Sequence, residues 1–66
     1  MALNYKIRLH EMRERAGLTL RQLSAETGIS ASELNDIERG KKDPRLSTVV
    51  ILAKYFRVKL SDFINF

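Results

Sequence analysis

The sequence predicts an all-α protein, a compact domain of five helices. Apolar residues recur at helical spacing through most of the 66 residues, and this spacing gives each helix one apolar face. No segment shows the alternation of apolar and polar residues that is typical of a half-buried strand, and no Asn-Gly type hairpin turn occurs. Two segments also begin with residue pairs that cap helices. We therefore expect five helices and no sheet.

The first helix is expected over residues 4–16, and Gly17 follows its last residue. Glycine lacks a Cβ atom, so it adopts at little cost the left-handed conformation that ends many helices. The residues that share the apolar face of this helix are Tyr5, Leu9, Met12 and Ala16.

Residues 18–40 predict two short helices joined by a tight turn. The second helix is expected over residues 20–27 and the third over residues 31–39, with a glycine after each. Each helix begins with a capping-box pair. In such a pair a Ser or Thr side chain accepts a hydrogen bond from the backbone N–H three residues later, and the Glu or Gln at that later position accepts one from the backbone N–H of the Ser or Thr. The pairs are Thr19 with Gln22 and Ser30 with Glu33, the glycines are Gly28 and Gly40, and the expected core residues are Leu23, Leu34 and Ile37. The arrangement predicts a helix-turn-helix unit over about residues 20–39, which many proteins use to bind DNA.

The fourth helix is expected over residues 46–56 and the fifth over residues 60–65. Pro44 marks a loop before the fourth helix, because the residue that precedes a proline avoids the helical region. The residues expected to enter the core from these two helices are Leu46, Val49, Ala53, Phe56, Leu60 and Phe63.

Length and composition restrict the possible functions. A chain of 66 residues predicts a single domain over residues 1–66. It has no cysteine and one histidine, which excludes disulfides and a zinc site built from Cys and His. His10 has no metal-ligand or nucleophile partner in the sequence, and we expect no enzyme activity, no cofactor and no metal. No apolar run approaches the roughly 20 residues of a membrane span, and no signal-peptide pattern is present, so we expect a soluble cytoplasmic protein.

The net charge of +4 is unevenly distributed along the chain. Residues 39–59 contain seven Lys or Arg and one Asp, whereas residues 30–38 contain three acidic residues and no basic residue. Positive charge therefore follows the third helix, which is itself acidic. A basic cluster of this kind favours a polyanionic partner such as nucleic acid.

One set of residues at characteristic positions extends over nearly the whole chain. The set consists of Leu9, Met12, Arg13, Gly17, Leu18, Thr19, Leu23, Ser24, Gly28, Ile29, Ser30, Leu34, Ile37, Glu38, Arg39, Gly40, Pro44, Leu46, Ala53, Val58 and Phe63. In these residues the chain resembles the lambda repressor/Cro type of helix-turn-helix domain, also called the XRE family. The resemblance implies a five-helix DNA-binding domain, commonly a homodimer on an operator with two half-sites.

The resemblance also implies roles for individual residues. The third helix would be the recognition helix, and the loop after it would contact phosphates together with the N-terminus of the second helix, whose free amides suit an anion. An ion pair between Arg13 and Glu38 would join the first and third helices, since a charge on a nearly buried face needs a partner. The residues facing bases would be Ala31, Ser32, Asn35 and Asp36, with Glu33 beside them, and those facing phosphates would be Leu20, Arg21, Gln22, Arg39, Lys41, Lys42 and Arg45. Ser30, the cap of the third helix, would also belong to the DNA-binding surface.

Two acidic residues of the third helix allow more than one interpretation. Asn35 can bond to adenine, and Asp36 or Glu33 can accept a hydrogen bond from cytosine. Both carboxylates also repel phosphates. The alternative is that they are ordinary solvated residues, with Glu33 serving only as a cap partner.

Several apolar residues fall where the helical pattern predicts solvent. They are Ile7, Ile51, Tyr55, Ile64 and Phe66. An exposed apolar set marks an interaction surface, so we expect a homodimer face on the fourth and fifth helices that is formed by Ile51, Tyr55, Ile64 and Phe66. The alternative is that Ile64 and Phe66 fold back onto the first helix.

Together these features predict a sequence-specific DNA-binding transcriptional regulator, a small repressor that acts as a homodimer. Its partner would be double-stranded DNA at the nucleoid of a bacterium or in a phage-infected cell, with no membrane involved. The alternative is a protein-interaction module or antitoxin-like protein with the same fold, which would use the acidic third helix to bind a protein partner.

Overall fold

The computed structural model describes residues 6–65 and contains five helices and one pair of short strands. In chain order they are β1 (Lys6–Ile7), α1 (Leu9–Arg15), α2 (Leu20–Thr27), α3 (Ala31–Glu38), α4 (Leu46–Tyr55), α5 (Leu60–Phe63) and β2 (Ile64–Asn65). The predicted five-helix fold is confirmed, and the bounds of α2 agree with the prediction. No helix in the described part of the chain is long and apolar enough to cross a membrane.

The expectation that the chain has no sheet was wrong. β1 pairs with β2 in an antiparallel manner, with Ile7 opposite Ile64, and the backbone N–H of Arg8 donates to the carbonyl of Phe63 at 3.0 Å. Consequently α1 begins at Leu9 and α5 ends at Phe63, both shorter than expected. A strand of two residues is too short to show an alternating pattern, so the sequence contains no signal for it. Residues 4 and 5, at the predicted start of the first helix, lie outside the described residues.

The core contains residues from every helix. Its buried apolar members are Leu9, Leu23, Ile29, Leu34, Ile37, Val49, Leu52, Ala53 and Phe63. The ring of Phe63 stacks on that of Phe56, with centroids 6.4 Å apart. Phe63 is completely buried, so the short helix α5 closes one side of the core.

Three residues that were expected on buried faces are exposed. Leu46 is 69% exposed and Leu60 is 38% exposed, and Ala16 is also exposed. Leu46 and Leu60 are the first residues of their helices, and Ala16 follows the last residue of α1. Helical spacing defines a face but does not specify whether a neighbouring element covers the ends of that face.

Candidate DNA-binding surface

The N-terminus of α2 has the complete capping box that the sequence predicted. The backbone N–H of Gln22 donates to Thr19 Oγ1 at 3.0 Å, and the backbone N–H of Thr19 donates to Gln22 Oε1 at 2.8 Å. Arg21 and Gln22 are exposed, whereas Leu20 is half-buried and packs against the core. The side chain of Arg21 is therefore available to an anion at this helix terminus, and Leu20 presents only its backbone there.

The second capping box is only half formed. The backbone N–H of Glu33 donates to Ser30 Oγ at 3.1 Å, as expected. The Glu33 carboxylate, however, does not bond back to Ser30. Its Oε2 atom accepts from Thr48 Oγ1 at 3.3 Å, and Thr48 is a buried polar residue of α4. A buried hydroxyl needs a partner, so the carboxylate connects α3 to α4 instead of capping α3. The predicted return bond of the capping box is therefore wrong, and so is the alternative in which Glu33 serves only as a cap partner.

A groove of about 430 Å³ lies between α3 with its N-cap on one side and the loop and the first turn of α4 on the other. The residues that line it are Ser30, Ser32, Glu33, Asp36, Ile37, Lys42, Asp43, Pro44, Arg45, Ser47 and Thr48. Of the residues expected to face bases, Ser32 is exposed, whereas Ala31, Asn35 and Asp36 are half-buried, and the predicted DNA-binding residue Ser30 is exposed. The groove thus places polar and acidic groups of α3 opposite basic groups of the loop.

The basic residues after α3 lie at the surface. Arg39, Lys41, Lys42 and Arg45 are all exposed. Lys42 Nζ lies 3.9 Å from Asp36 Oδ2, and the backbone N–H of Lys41 donates to the carbonyl of Asp36 at 2.9 Å. An ion pair with so exposed a lysine adds little stability, but it places a positive charge beside a carboxylate of α3 that would repel a phosphate. The loop can therefore approach a polyanion despite the acidic helix.

Arg13 and Glu38 form the ion pair that the sequence predicted. Arg13 Nε donates to Glu38 Oε2 at 2.6 Å and Arg13 Nη2 donates to Oε1 at 3.1 Å, and the two side chains are only 15% and 7% exposed. Arg13 Nη1 also donates to the carbonyl of Leu18 at 2.7 Å. The guanidinium therefore joins α1, the connection between α1 and α2, and the end of α3. These bonds hold the helix-turn-helix unit against α1.

His10 takes part in this network, which the sequence did not indicate. Its Nδ1 atom lies 3.0 Å from Glu38 Oε1 and its Nε2 atom 3.3 Å from Glu14 Oε1. Burial alone would raise the pKa of Glu38, but hydrogen bonds from Arg13 and His10 outweigh it and lower that pKa. The hydrogen bond to Glu38 likewise raises the pKa of Arg13. Of these contacts, the sequence could have predicted only the one between His10 and Glu14, because residues four apart on a helix are neighbours.

The residues expected to form a dimer face differ in exposure. Ile51 is 44% exposed, but Tyr55 and Ile64 are half-buried and pack against the core, as does Ile7. Tyr55 also donates a hydrogen bond to Glu26 Oε1 at 3.4 Å. Phe66 lies outside the described residues. The expectation of a fully exposed patch was therefore wrong for Ile7, Tyr55 and Ile64, since Ile64 pairs with the strand that precedes α1.

This arrangement is that of a helix-turn-helix protein. A family model described as helix-turn-helix matches residues 9–63, and the chain belongs to this family, as its resemblance to the XRE type indicated. It is 35% identical over 58 residues to the HTH-type transcriptional regulator DdrOP3 of Deinococcus deserti, an alignment that covers 88% of this chain and 45% of that protein.

Two further relatives differ in length. The HTH-type transcriptional regulator PuuR of Escherichia coli is 34% identical over 58 residues, which cover 88% of this chain and 31% of PuuR. The uncharacterized HTH-type transcriptional regulator MJ0272 of Methanocaldococcus jannaschii is 37% identical over 57 residues, which cover 86% of each chain. The chain therefore spans less than half the length of DdrOP3 and PuuR, but most of the length of MJ0272.

Proposed function

We propose that this chain is a sequence-specific DNA-binding transcriptional regulator. One observation carries the proposal: exposed polar residues at the N-terminal end of α3 lie across a single groove from an exposed basic loop. Base-edge contacts require the first feature, and phosphate contacts require the second. Membership of the helix-turn-helix family and the names of the relatives support the same assignment.

In this proposal α3 enters the major groove with its N-terminal end. Ser32 and Asn35 hydrogen-bond to base edges, and the loop residues Lys41, Lys42 and Arg45 contact phosphates. Arg21 and the free amides of α2 contact a second phosphate. The regulator acts in the cytoplasm, at the nucleoid, as a homodimer that represses by occupying a promoter, and no catalytic step or cofactor takes part.

Selection of bound sequences from a random DNA pool tests the proposal. We expect one enriched motif, and we expect Ser32→Ala and Asn35→Ala to relax it at particular base pairs by roughly 1–3 kcal/mol each. Lys41→Ala and Arg45→Ala serve as matched variants in the loop. They should weaken binding to every sequence alike and flatten the salt dependence, because phosphate contacts carry no sequence information.

The acidic character of α3 favours one other function, a module that binds a protein. Glu33 and Asp36 both line the groove, and carboxylates repel DNA phosphates. If α3 variants leave DNA preference unchanged and abolish binding to a protein partner, the protein-interaction or antitoxin-like function is correct. An absence of any enriched motif would also refute the proposed regulator.

A further inference from the structure

Thr48, in the first turn of α4, is the one buried polar residue in the part of the chain that the structure describes. Its hydroxyl donates to Glu33 Oε2 at 3.3 Å. The next residue, Val49, is also buried, and valine has the shape of threonine without the hydroxyl. A buried hydroxyl costs free energy that valine avoids, and only a hydrogen bond offsets that cost. The threonine therefore indicates that the bond to Glu33 has a role of its own.

The bond lies in the wall of the groove, between the two parts of the proposed DNA-binding surface. Glu33 and Thr48 both line the groove. Ser32, which is proposed to contact a base, directly precedes Glu33 and is exposed. Arg45, which is proposed to contact a phosphate, is the N-cap residue of α4. The bond thus joins the base-contacting end of α3 to the end of the basic loop.

The two helices that the bond connects have other main neighbours. α3 packs chiefly against α2 and α1, whereas α4 packs chiefly against α2 and α5. Within residues 6–65, the bond between Thr48 and Glu33 is the side-chain hydrogen bond that joins α3 directly to α4. Apolar packing in the shared core is non-directional, whereas a hydrogen bond requires a particular orientation of its two groups. The orientation of α3 relative to α4 therefore depends on this bond.

The basic loop is attached to α3 at its beginning by a different bond. The backbone N–H of Lys41 donates to the carbonyl of Asp36 at 2.9 Å, close to the C-terminal end of α3. The bond between Glu33 and Thr48 attaches α3 to the first turn of α4, where the loop ends. Both ends of the loop are therefore held against α3, and the second attachment sets the spacing between the base-contacting and phosphate-contacting groups.

We propose that Thr48 is a positioning residue for DNA recognition, which acts through Glu33 to hold the N-terminal end of α3 in register with the basic loop. This inference rests on the proposed function. Base contacts require their groups to be held within about 0.5 Å of the correct geometry. Phosphate contacts position the protein but carry no sequence information. The bond therefore contributes to discrimination between DNA sequences and leaves non-specific affinity unaffected.

Replacement of Thr48 by valine removes the hydroxyl and keeps the shape of the side chain. We expect Thr48→Val to lower the affinity for the selected motif roughly three- to tenfold, the value of one hydrogen bond. Affinity for a random-sequence duplex and its salt dependence should stay at the wild-type level, because no charge changes. Thr48→Ser retains the hydroxyl and should restore the affinity for the motif. Thr48→Ala removes the hydroxyl with a smaller side chain and should behave like Thr48→Val, so the result does not depend on how well valine fits.

Two controls separate positioning from stability. Thr27→Val removes a hydroxyl of α2 that donates to the carbonyl of Leu23 at 2.8 Å, and Thr27 does not line the groove. It should lower the Tm without changing the ratio of motif affinity to random-duplex affinity. Ser32→Ala should weaken motif binding clearly less in the Thr48→Val background than in wild type, because the base contact of Ser32 is already displaced. A purely structural Thr48 would leave the effect of Ser32→Ala unchanged.

Fluorescence anisotropy with the motif and with a random duplex, at several salt concentrations, distinguishes this inference from the proposed function. If wild type prefers its motif and Thr48→Val and Thr48→Ala keep the wild-type affinity ratio, only the positioning role is overturned. Equal losses for both duplexes, matched by Thr27→Val, would show a role in stability alone and also overturn it. If wild type shows no preference for any sequence, the proposed function fails first and this inference fails with it.

Discussion

At the scale of single residues, the pair formed by Arg13 and Glu38 determines how the helix-turn-helix unit is held. Two nearly buried charges are expensive to remove from water, and the cost is offset only when each has several hydrogen-bond partners. Arg13 has bonds to the carboxylate and to the carbonyl of Leu18, and Glu38 also has His10. The pair therefore positions the C-terminal end of α3 against α1, and with it the direction in which the N-terminal end of α3 points.

Removal of either partner should destabilise the fold. We expect Arg13→Ala and Glu38→Ala each to lower the free energy of unfolding by about 3 kcal/mol, because each leaves a nearly buried charge unpaired. The double variant should lose much less than the sum of the single losses. Arg15→Ala, an exposed base on the same helix, should change stability by less than about 0.5 kcal/mol. Thermal melts of the four proteins measure this cycle, and additive losses would show that the pair is not coupled.

Glu38 of the same pair makes the stability of the fold decrease as the pH falls. The pKa of Glu38 is lower in the folded protein than its usual value of 4.5. The ionised carboxylate therefore stabilises the fold above pH 4.5, and this contribution is lost as the pH falls through the folded-state pKa. Denaturant melts between pH 7 and pH 3 should show the stability gap between wild type and Glu38→Gln narrowing at acid pH. A gap that stays constant over this range contradicts the assignment.

At the scale of elements, the sequence predicted best what local chemistry determines. The Thr19 cap and Gly28 set the bounds of α2, because capping and left-handed ends depend on residues within one turn. The sequence could not predict the β1–β2 pair or the exposure of Leu46, because both depend on which distant segment of the chain packs beside these residues. Glu33 shows the same limit within the site, since its sequence neighbours indicate a cap and only the fold brings Thr48 to its carboxylate.

The contact between α3 and α4 can be tested through this pair. Glu33→Ala leaves the hydroxyl of the buried Thr48 without its acceptor, so we expect a loss of at least about 1 kcal/mol of stability. In a Thr48→Val background, where no hydroxyl needs a partner, the same substitution should cost clearly less. The Ser30 cap is retained in all variants because it uses the backbone N–H of residue 33. Equal losses in both backgrounds would show that Glu33 stabilises the protein independently of Thr48.

At the scale of the whole molecule, the protein combines a small hydrophobic core with a strongly charged surface. The described residues bury nine apolar side chains, and a chain of this size buries only about 60% of its unfolded surface. A second copy packed on the exposed Ile51 would add burial. A two-fold interface, however, uses the same patch twice. A face on α4 and α5 would therefore also bring together the turns between these two helices, each of which has the exposed Lys54, Arg57 and Lys59.

The proposed homodimer should therefore respond to salt in the opposite sense to DNA binding. Salt screens the repulsion between the two turns, so we expect self-association of the free protein to strengthen between 0.05 and 0.5 M salt, on the order of the concentrations over which DNA affinity falls steeply. Sedimentation equilibrium measures the first trend and footprinting the second, with two protected half-sites about 34 Å apart. Ile51→Ser should weaken the dimer, whereas Leu46→Ser, which changes an exposed leucine at the N-terminal end of α4, should not. A single protected half-site at saturating protein would contradict the dimer. Self-association that weakens with salt would instead show that the two copies meet through opposite charges rather than through an apolar face.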